Sequence, residues 1–259
     1  MKSFEHFLSL HYQTAPLLMG NIWDVQSAKV FDSNGFQAIG TSSAAVAHSF
    51  GYADGEQIPF DLIVQLAKRV VEVVDIPLSV DMEGGFGRTT AAICQNVQRL
   101  HDVGVVGINI EDSQPGTART LQQAHVFAKT LEGITHTLSA QNARVFINVR
   151  TDGFLLGVPQ ALSETLERIR LYENTGVHGI FVPCIEKPHD IKTVAGDTRL
   201  PINVMCMPNL PSFGELYELG ARRISMGNSF HQFMLKETER HLRVITQNQS
   251  FHSLFNQAR

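Results

Sequence analysis

Two hydrophobic periods alternate along this chain. Short apolar runs, bounded by glycine, proline or small polar residues, are separated by stretches whose apolar residues recur at three- and four-residue steps. The runs read as buried strands and the stretches as helices with one apolar face. Eight runs carry the strand pattern: LLMGNIWD (17–24), QAIGTSSAA (37–45), PLSVDMEGGFG (77–87), GINIED (107–112), RVFINVRTD (144–152), GIFVPC (179–184), INVMCM (202–207) and RISMG (223–227). Helical stripes precede or separate them. Residues 3–13 predict a helix with Phe4, Phe7, Leu8 and Tyr12 on one face. Leu62, Leu66, Val70 and Val73 mark another over 59–74, as do Ile93, Val97 and Leu100, then Leu162, Leu166 and Ile169. The last helical region holds Phe230, Phe233, Met234, Leu242 and Ile245.

Gly35, Gly104, Gly176 and Gly220 each end a helical stripe two to four residues before a strand. That spacing predicts a left-handed cap followed by a short helix-to-strand loop. Unbroken alternation of strand and helix implies a parallel sheet, and eight units favour a closed barrel. The fold class expected is α/β, a single (β/α)8 TIM-type barrel over residues 1–259. A doubly wound open sheet is the alternative.

Composition narrows the functional classes. A chain of 259 residues, 43% hydrophobic and 18% charged, has the length of one α/β barrel and ample apolar mass for its core. The net charge of −4, with no cluster of Lys or Arg, argues against a nucleic-acid surface. Cys94, Cys184 and Cys206 are scattered and odd in number, so a disulfide framework or zinc site is not expected. The Ile- and Val-rich neighbours of Cys184 and Cys206 suggest core thiols. With no signal-peptide core and no membrane-length run, the expectation is a cytoplasmic protein without membrane contact.

The candidate chemistry lies at the strand ends, where barrels of this kind place their active sites. In an extended strand Ser79, Asp81 and Glu83 share one face, and Gly84, Gly85 and Gly87 then turn the chain. Asn109 and Glu111 share a face opposite Ile108 and Ile110, and Asn148, Arg150 and Asp152 share one opposite Ile147 and Val149. The second strand ends in Thr41, Ser42 and Ser43. Successive strands thus turn polar residues toward one mouth, where a barrel built only for stability carries Val, Ile and Leu.

Asp81, Glu83 and Glu111 around one mouth repel one another unless a divalent cation, Mg2+ or Mn2+, compensates. Asp81 is the expected direct ligand, with Glu83 and Glu111 acting mostly through water. Arg150 offers a fork for a substrate carboxylate, or else pairs with Asp152 or Glu111. The Ser42–Ser43 turn offers N–H groups and hydroxyls to a second carboxylate or an oxyanion. Asp112 faces away and supports the wall or caps a helix. Asp54, in GYADGE, either approaches the metal water or is an exposed turn acid. His48, His125 and His178 read as structural or exposed.

These residues resemble the isocitrate lyase and phosphoenolpyruvate mutase superfamily over nearly the whole length, nearest its methylisocitrate lyase and oxaloacetate decarboxylase-like members. The matching stretches are NIWDVQSA, GTSSAAVAHSFGYADGE, DMEGGFG, GINIEDS, NVRTDGFLLG and GARRISMG, in this order. The resemblance implies a barrel whose last helix is exchanged between subunits, giving a homotetramer built as a dimer of dimers. It also implies Mg2+-dependent cleavage or formation of a C–C or P–C bond beside a 2-oxo or 2-hydroxy acid, through an enolpyruvate-type oxyanion. Carried over, Asp81 matches the direct metal ligand, and Glu83 stands where the family usually has a second aspartate. Glu111 matches the acid that holds metal waters, and Ser42, Ser43 and Ala44 match the turn that binds the pyruvyl carboxylate. Arg150 matches the substrate arginine and Asp54 the loop acid near the metal water; with Glu111 they form the expected catalytic set.

The departures shape the expectation. The family's isocitrate and methylisocitrate lyases carry a loop with a catalytic cysteine after the fourth strand. Here that loop is the short EDSQPGTART, without cysteine, and Cys184 stands where those lyases have a glutamate. Phosphonopyruvate enzymes place a lysine in the same loop; Arg119 is the cation found here. A lyase or decarboxylase of another small oxo acid is therefore expected. The alternatives are phosphonopyruvate-type P–C chemistry and a non-catalytic barrel that keeps a pocket for metal and small acid.

Overall fold

Eight parallel strands close on themselves in the computed structural model, which describes residues 2–114 and 119–255. In chain order the strands are β1 (Leu17–Ile22), β2 (Ala38–Thr41), β3 (Leu78–Asp81), β4 (Gly107–Glu111), β5 (Ser113–Gln114), β6 (Thr120–Leu121), β7 (Phe146–Arg150), β8 (Gly179–Val182), β9 (Ile202–Met205) and β10 (Ala221–Ser225). The barrel runs β1-β2-β3-β4-β7-β8-β9-β10, while β5 and β6 form a separate antiparallel ribbon beyond the end of β4. Pairing of Leu17 with Arg223 joins β1 to β10. That closure rules out the open doubly wound sheet and bears out the eight expected strands.

The helices are α1 (Phe4–Ser9), α2 (Val25–Ser33), α3 (Ser43–Ser49), α4 (Phe60–Val73), α5 (Thr90–Asp102), α6 (Ala124–Ala140), α7 (Ala161–Tyr172), α8 (Pro188–Gly196), α9 (Phe213–Glu218), α10 (Ser229–Asn248) and α11 (His252–Phe255). The four helix-ending glycines all have positive φ, from +78° at Gly35 to +98° at Gly220. Several helix starts are capped by side chains: Asp24 accepts from Ser27 N–H, Thr89 from Ala92 N–H and Ser212 from Glu215 N–H. Apolar faces of the surrounding helices, such as Leu66 and Val70 of α4 and Val97 and Leu100 of α5, pack on the outward Ile and Val of the strands. Among the described residues no helix is long and apolar enough to cross a membrane.

The floor of the barrel is a second apolar cluster that includes Phe4, Phe7, Leu10, Leu17, Met19 and Phe146. The expected helix over 3–13 stops at Ser9 and tightens into a 3-10 turn over Leu10–Tyr12. The tightening turns Leu10 and His11 inward and leaves Tyr12 62% exposed, against the expectation that it would pack with Phe4. His11 stacks on Phe146 with ring centroids 4.2 Å apart. His178 also belongs to this end, accepting a hydrogen bond at Nδ1 from Ile147 N–H; His48 and His125 are exposed.

Above the floor the interior becomes polar. Asn148 Nδ2 donates to Asn109 Oδ1 (2.9 Å) and Asn203 Oδ1 (3.1 Å), and Asn203 Nδ2 donates to Ser225 Oγ (3.1 Å). Arg223 is buried between this layer and Phe7, donating through Nη2 to Asn109 Oδ1 at 3.4 Å. Burial lowers its pKa to about 9, and the Asp81 charge only partly offsets that.

Outside the barrel wall Asp112 accepts from Asp152 N–H (3.0 Å), Arg168 Nη1 (3.1 Å) and Tyr172 OH (2.9 Å). It therefore locks α7 to the ends of β4 and β7 and caps no helix. The expectation that Cys184 and Cys206 are core thiols fails for both. Cys94 is buried, but Cys184 is half-buried and Cys206 exposed, because both lie just past the ends of β8 and β9, where the chain leaves the sheet.

Candidate active site

Asp81 closes β3 with its backbone and one carboxylate oxygen each held by a hydroxyl. Its N–H donates to Thr41 Oγ1 (2.8 Å), and Oδ2 accepts from Ser43 Oγ (3.0 Å). Oδ1 is buried without a hydrogen-bond partner. Ser42 does different work: its Oγ accepts from Ala45 N–H at 3.4 Å and caps α3. The backbone N–H groups of Ser43 and Ala44, in the first turn of α3, have no intrahelical partner.

Glu83 reaches the site by another route than strand alternation. β3 ends at Asp81, and Glu83 adopts φ +48° in the turn that follows. Its carbonyl accepts from Glu111 N–H (2.8 Å), so the turn extends the pairing of β3 with β4. Glu83 Oε2 accepts from Glu56 N–H (2.9 Å), while Oε1 is buried and unpartnered. Glu56 was not singled out by the sequence reading. It accepts from Phe86 N–H (2.8 Å) and Arg88 Nη1 (2.7 Å), lacing the loop after β2 onto the glycine turn.

On the next wall Glu111 and Arg150 are register partners on β4 and β7. Arg150 Nη1 lies 2.9 Å from Glu111 Oε2, and its Nε and Nη2 grip the two oxygens of Asp152 at 2.6 and 3.1 Å. Both ion pairs foreseen as alternatives to a substrate contact are thus present together. Ser113 Oγ stands 2.8 Å from Glu111 Oε1 and 2.7 Å from Asp152 Oδ2, and its single proton serves one of them.

A cavity of about 190 Å³ opens over these residues. Ser42, Ser43, Ala44, Asp54, Asp81 and Arg150 line it; Glu83 and Glu111 stand behind that lining. Asn21, Asn109, Arg119, Phe181 and Asn228 also line it and were not in the expected set. Asn109 was legible from its shared face with Glu111, and Arg119 as the loop's cation; Phe181 and Asn228 gave no sequence signal. Residues 115–118 of the loop EDSQPGTART lie outside the described residues. A larger hollow of about 590 Å³ beside the start of α5 is lined by no carboxylate, so the chemistry points to the smaller cavity. Its size is below the roughly 300–1,000 Å³ of sites for drug-sized ligands and suits a small acid.

Burial dominates the electrostatics. It pushes Glu83 up to about 8, helped by Asp54, Asp81 and Glu111. Glu111 is pushed up to about 7 by burial and Asp152, against the pull of Arg150. Asp81 is also raised by burial, with Arg150 and Ser43 opposing. Burial alone would lower Arg150, but Glu111, Asp152 and Asp81 carry it above its ordinary value. Such a site is short of positive charge. Asp81 Oδ1 and Glu83 Oε1, both orphaned, fit a hydrated divalent ion. Among the described residues no three His, Cys, Asp or Glu side chains converge closely enough to hold one ion directly. The donor set therefore suits Mg2+, which takes one or two carboxylates and keeps several waters.

Comparison with known proteins places these features. The phosphoenolpyruvate phosphomutase family model matches residues 7–246. A solved protein of Burkholderia cenocepacia J2315, described as a candidate phosphonomutase, is 32% identical, with a TM-score of 0.87 over 93% of this chain and 99% of that one. The oxaloacetate decarboxylase of Bradyrhizobium sp. (strain ORS 278) is 26% identical over 223 residues, 82% of this chain and 73% of its own length. A phosphonopyruvate hydrolase solved with oxalate and Mg2+ shares the fold at 16% identity, with a TM-score of 0.86 over 98% of this chain and 90% of that one.

Proposed function

The chain belongs to the phosphoenolpyruvate phosphomutase family, and from that premise we propose a Mg2+-dependent lyase or decarboxylase that cleaves a C–C bond of a small 2-oxo or 2-hydroxy carboxylic acid. One observation carries the reading: a buried, unpartnered carboxylate oxygen of Asp81 and the Arg150 guanidinium face the same small cavity. A divalent ion at Asp81, with Glu83 and Glu111 behind its water shell, would draw electron density onto the oxygen beside the bond that breaks. The chain's own groups do the rest. Ser43 Oγ donates to the Asp81 carboxylate and orients it, while the Thr41 hydroxyl fixes the Asp81 backbone by accepting from its N–H. The free N–H groups of Ser43 and Ala44 meet the substrate carboxylate. Arg150 is aimed by Asp152 and Glu111 and adds the neutralising charge. Asp54, at the rim, is positioned to move a proton through water. The Mg2+ complex of a structural relative with oxalate, a small dicarboxylate, supports the ligand class.

Asp81→Ala tests this. Calorimetry with MgCl2 and an assay of oxo acids for released pyruvate or glyoxylate should both go silent. Either signal persisting at the wild-type level would sink the proposal. Phosphonopyruvate chemistry is the second reading, favoured by the similarity to the Burkholderia protein; from phosphonopyruvate, phosphoenolpyruvate formation would identify a mutase and phosphate release a hydrolase. Stabilisation by Mg2+ with oxalate but no turnover across the panel would mark a binding protein. We also propose a homotetramer built from dimers that exchange α10, which exposes Phe233, Met234, Leu235 and Leu242 and buries only His231.

A further inference from the structure

Arg119 stands among the acids of the site without a hydrogen bond to any of them. Its Nη1 lies 3.3 Å from Glu111 Oε1 and 3.6 Å from Asp152 Oδ2. Its Nη2 lies 3.7 Å from Asp54 Oδ2 and 3.9 Å from Glu83 Oε2. The four partners come from four places: the loop after β2, the turn after β3, the end of β4 and the end of β7. Arg150, which shares Glu111 and Asp152 with it, donates two hydrogen bonds to Asp152 at 2.6 and 3.1 Å and lies 2.9 Å from Glu111 Oε2. The contrast separates two kinds of cation. Arg150 is fixed by two directional bonds on Asp152 and a close ion pair with Glu111, whereas Arg119 is held by summed charge alone, at distances a fork-shaped guanidinium shortens when it bonds.

We propose that Arg119 is a tethered counter-ion. In the metal-free protein it supplies positive charge to Glu83, Glu111, Asp54 and Asp152, and divalent metal binding is an exchange in which the ion takes over that role and Arg119 leaves. The inference rests on the Mg2+ reading of the site and adds a residue which that reading does not use. Two features motivate an exchange rather than coexistence. Glu83 and Glu111 are shared by both cations, and a guanidinium left beside a divalent ion in a site this buried would be repelled. Asp81, which Arg119 does not reach within ion-pair distance, keeps Oδ1 free, so the incoming ion has a first ligand before the arginine departs. The carboxylates are then never all uncompensated, which keeps the empty site folded without metal at the cost of metal affinity.

The test is calorimetric titration of metal-free protein with MgCl2 and MnCl2, for the wild type, Arg119→Gln and Arg119→Lys, alongside thermal unfolding of each with and without metal. Arg119→Gln should bind both ions more tightly, on the order of tenfold, as expected for two coupled sites. The same variant should melt lower than wild type when metal-free and gain more from added Mg2+. Arg119→Lys should stay near the wild type. A purely structural arginine would lower stability with and without metal and would not tighten binding. Equal or weaker ion binding by Arg119→Gln overturns the exchange. A wild type that binds no Mg2+ defeats the lyase reading itself, so the two failures are distinguishable. A measurement on unaltered protein closes the case should the variant not fold. Mass spectrometry after brief phenylglyoxal treatment should show Arg119 modified more with Mg2+ than without, and modification that is unchanged or reduced by Mg2+ overturns the proposal.

Discussion

Glu83 and Glu111 owe their raised pKa values first to burial, and that cause has a measurable sign. A carboxyl whose folded pKa lies above its unfolded value near 4.5 stabilises the fold below that value and stops doing so as pH rises through the folded pKa. For Glu111 and Glu83 those folded values are about 7 and about 8. His11 and His178 act in the opposite direction. Burial depresses them to about 3 and about 4, so their contribution is complete above about 6.5 and is lost as pH falls toward those values. Between pH 6.5 and 8 the acids alone set the slope. Scanning calorimetry should show the Tm of metal-free protein falling across that window, with a smaller fall in Glu83→Gln and none in saturating Mg2+. A Tm that holds or rises without metal would refute the assignment. At this scale the acids and the Arg150 ion pairs were legible in the sequence, but the other partners of the acids were not. Asp81, Glu83, Glu111 and Arg150 stand out by strand position, whereas Glu56 and Arg119 lie in loops and Ser113 in a two-residue ribbon strand whose course no periodicity predicts.

The element that sets the site is the glycine turn between β3 and α5. Gly85 takes φ +104°, and a Cβ there would stand 2.8 Å from Ile93 Cγ1 and 2.9 Å from Ile93 Cγ2, on a buried side chain. Gly35, at φ +78° after α2, has nothing within 4 Å of the same position. Gly35→Ala should therefore cost about 1–2 kcal/mol of backbone strain alone. Gly85→Ala should cost more, because overpacking adds about 1–3 kcal/mol to the strain, and it displaces the turn that carries Glu83. Urea unfolding ranks the two variants, and Mg2+ titration should show weakened binding only for Gly85→Ala. Equal stabilities, or unaffected metal binding in Gly85→Ala, would contradict this account. Sequence placed the turn and its glycines correctly but carried Glu83 along an extended strand. The chain leaves the extended conformation at Glu83, and a single positive φ there ends the alternation.

For the molecule as a whole, α10 is the element the barrel does not need. It runs for 20 residues yet buries one, and its first turn is packed at Phe230, which meets Trp23 after β1 and Phe31 of α2. This exposed apolar surface is what motivates the proposed exchange of α10 between subunits. Leu242→Asp combined with Phe233→Asp should shift the protein toward monomer in sedimentation velocity while leaving far-UV circular dichroism unchanged. An unaltered sedimentation coefficient would count against the exchange of this helix. The apolar stripe of α10 was visible from Phe230, Phe233, Met234, Leu242 and Ile245, but its periodicity is the same whether the face meets the barrel or another chain.

Local rules were enough for the architecture. Apolar runs of strand length, three- and four-residue helical steps and glycines at helix ends each depend on a few neighbouring residues, so the closed eightfold barrel and its acidic strand ends were legible in the sequence. What folding alone decided was company. Register between β4 and β7 set Arg150 against Glu111, a 3-10 turn sent His11 rather than Tyr12 into the floor, and Cys206 ended outside the sheet. Arg119 met four acids drawn from across the chain. Those outcomes depend on distances between segments far apart in sequence, and a pattern with a period of two or 3.6 residues holds no information about them.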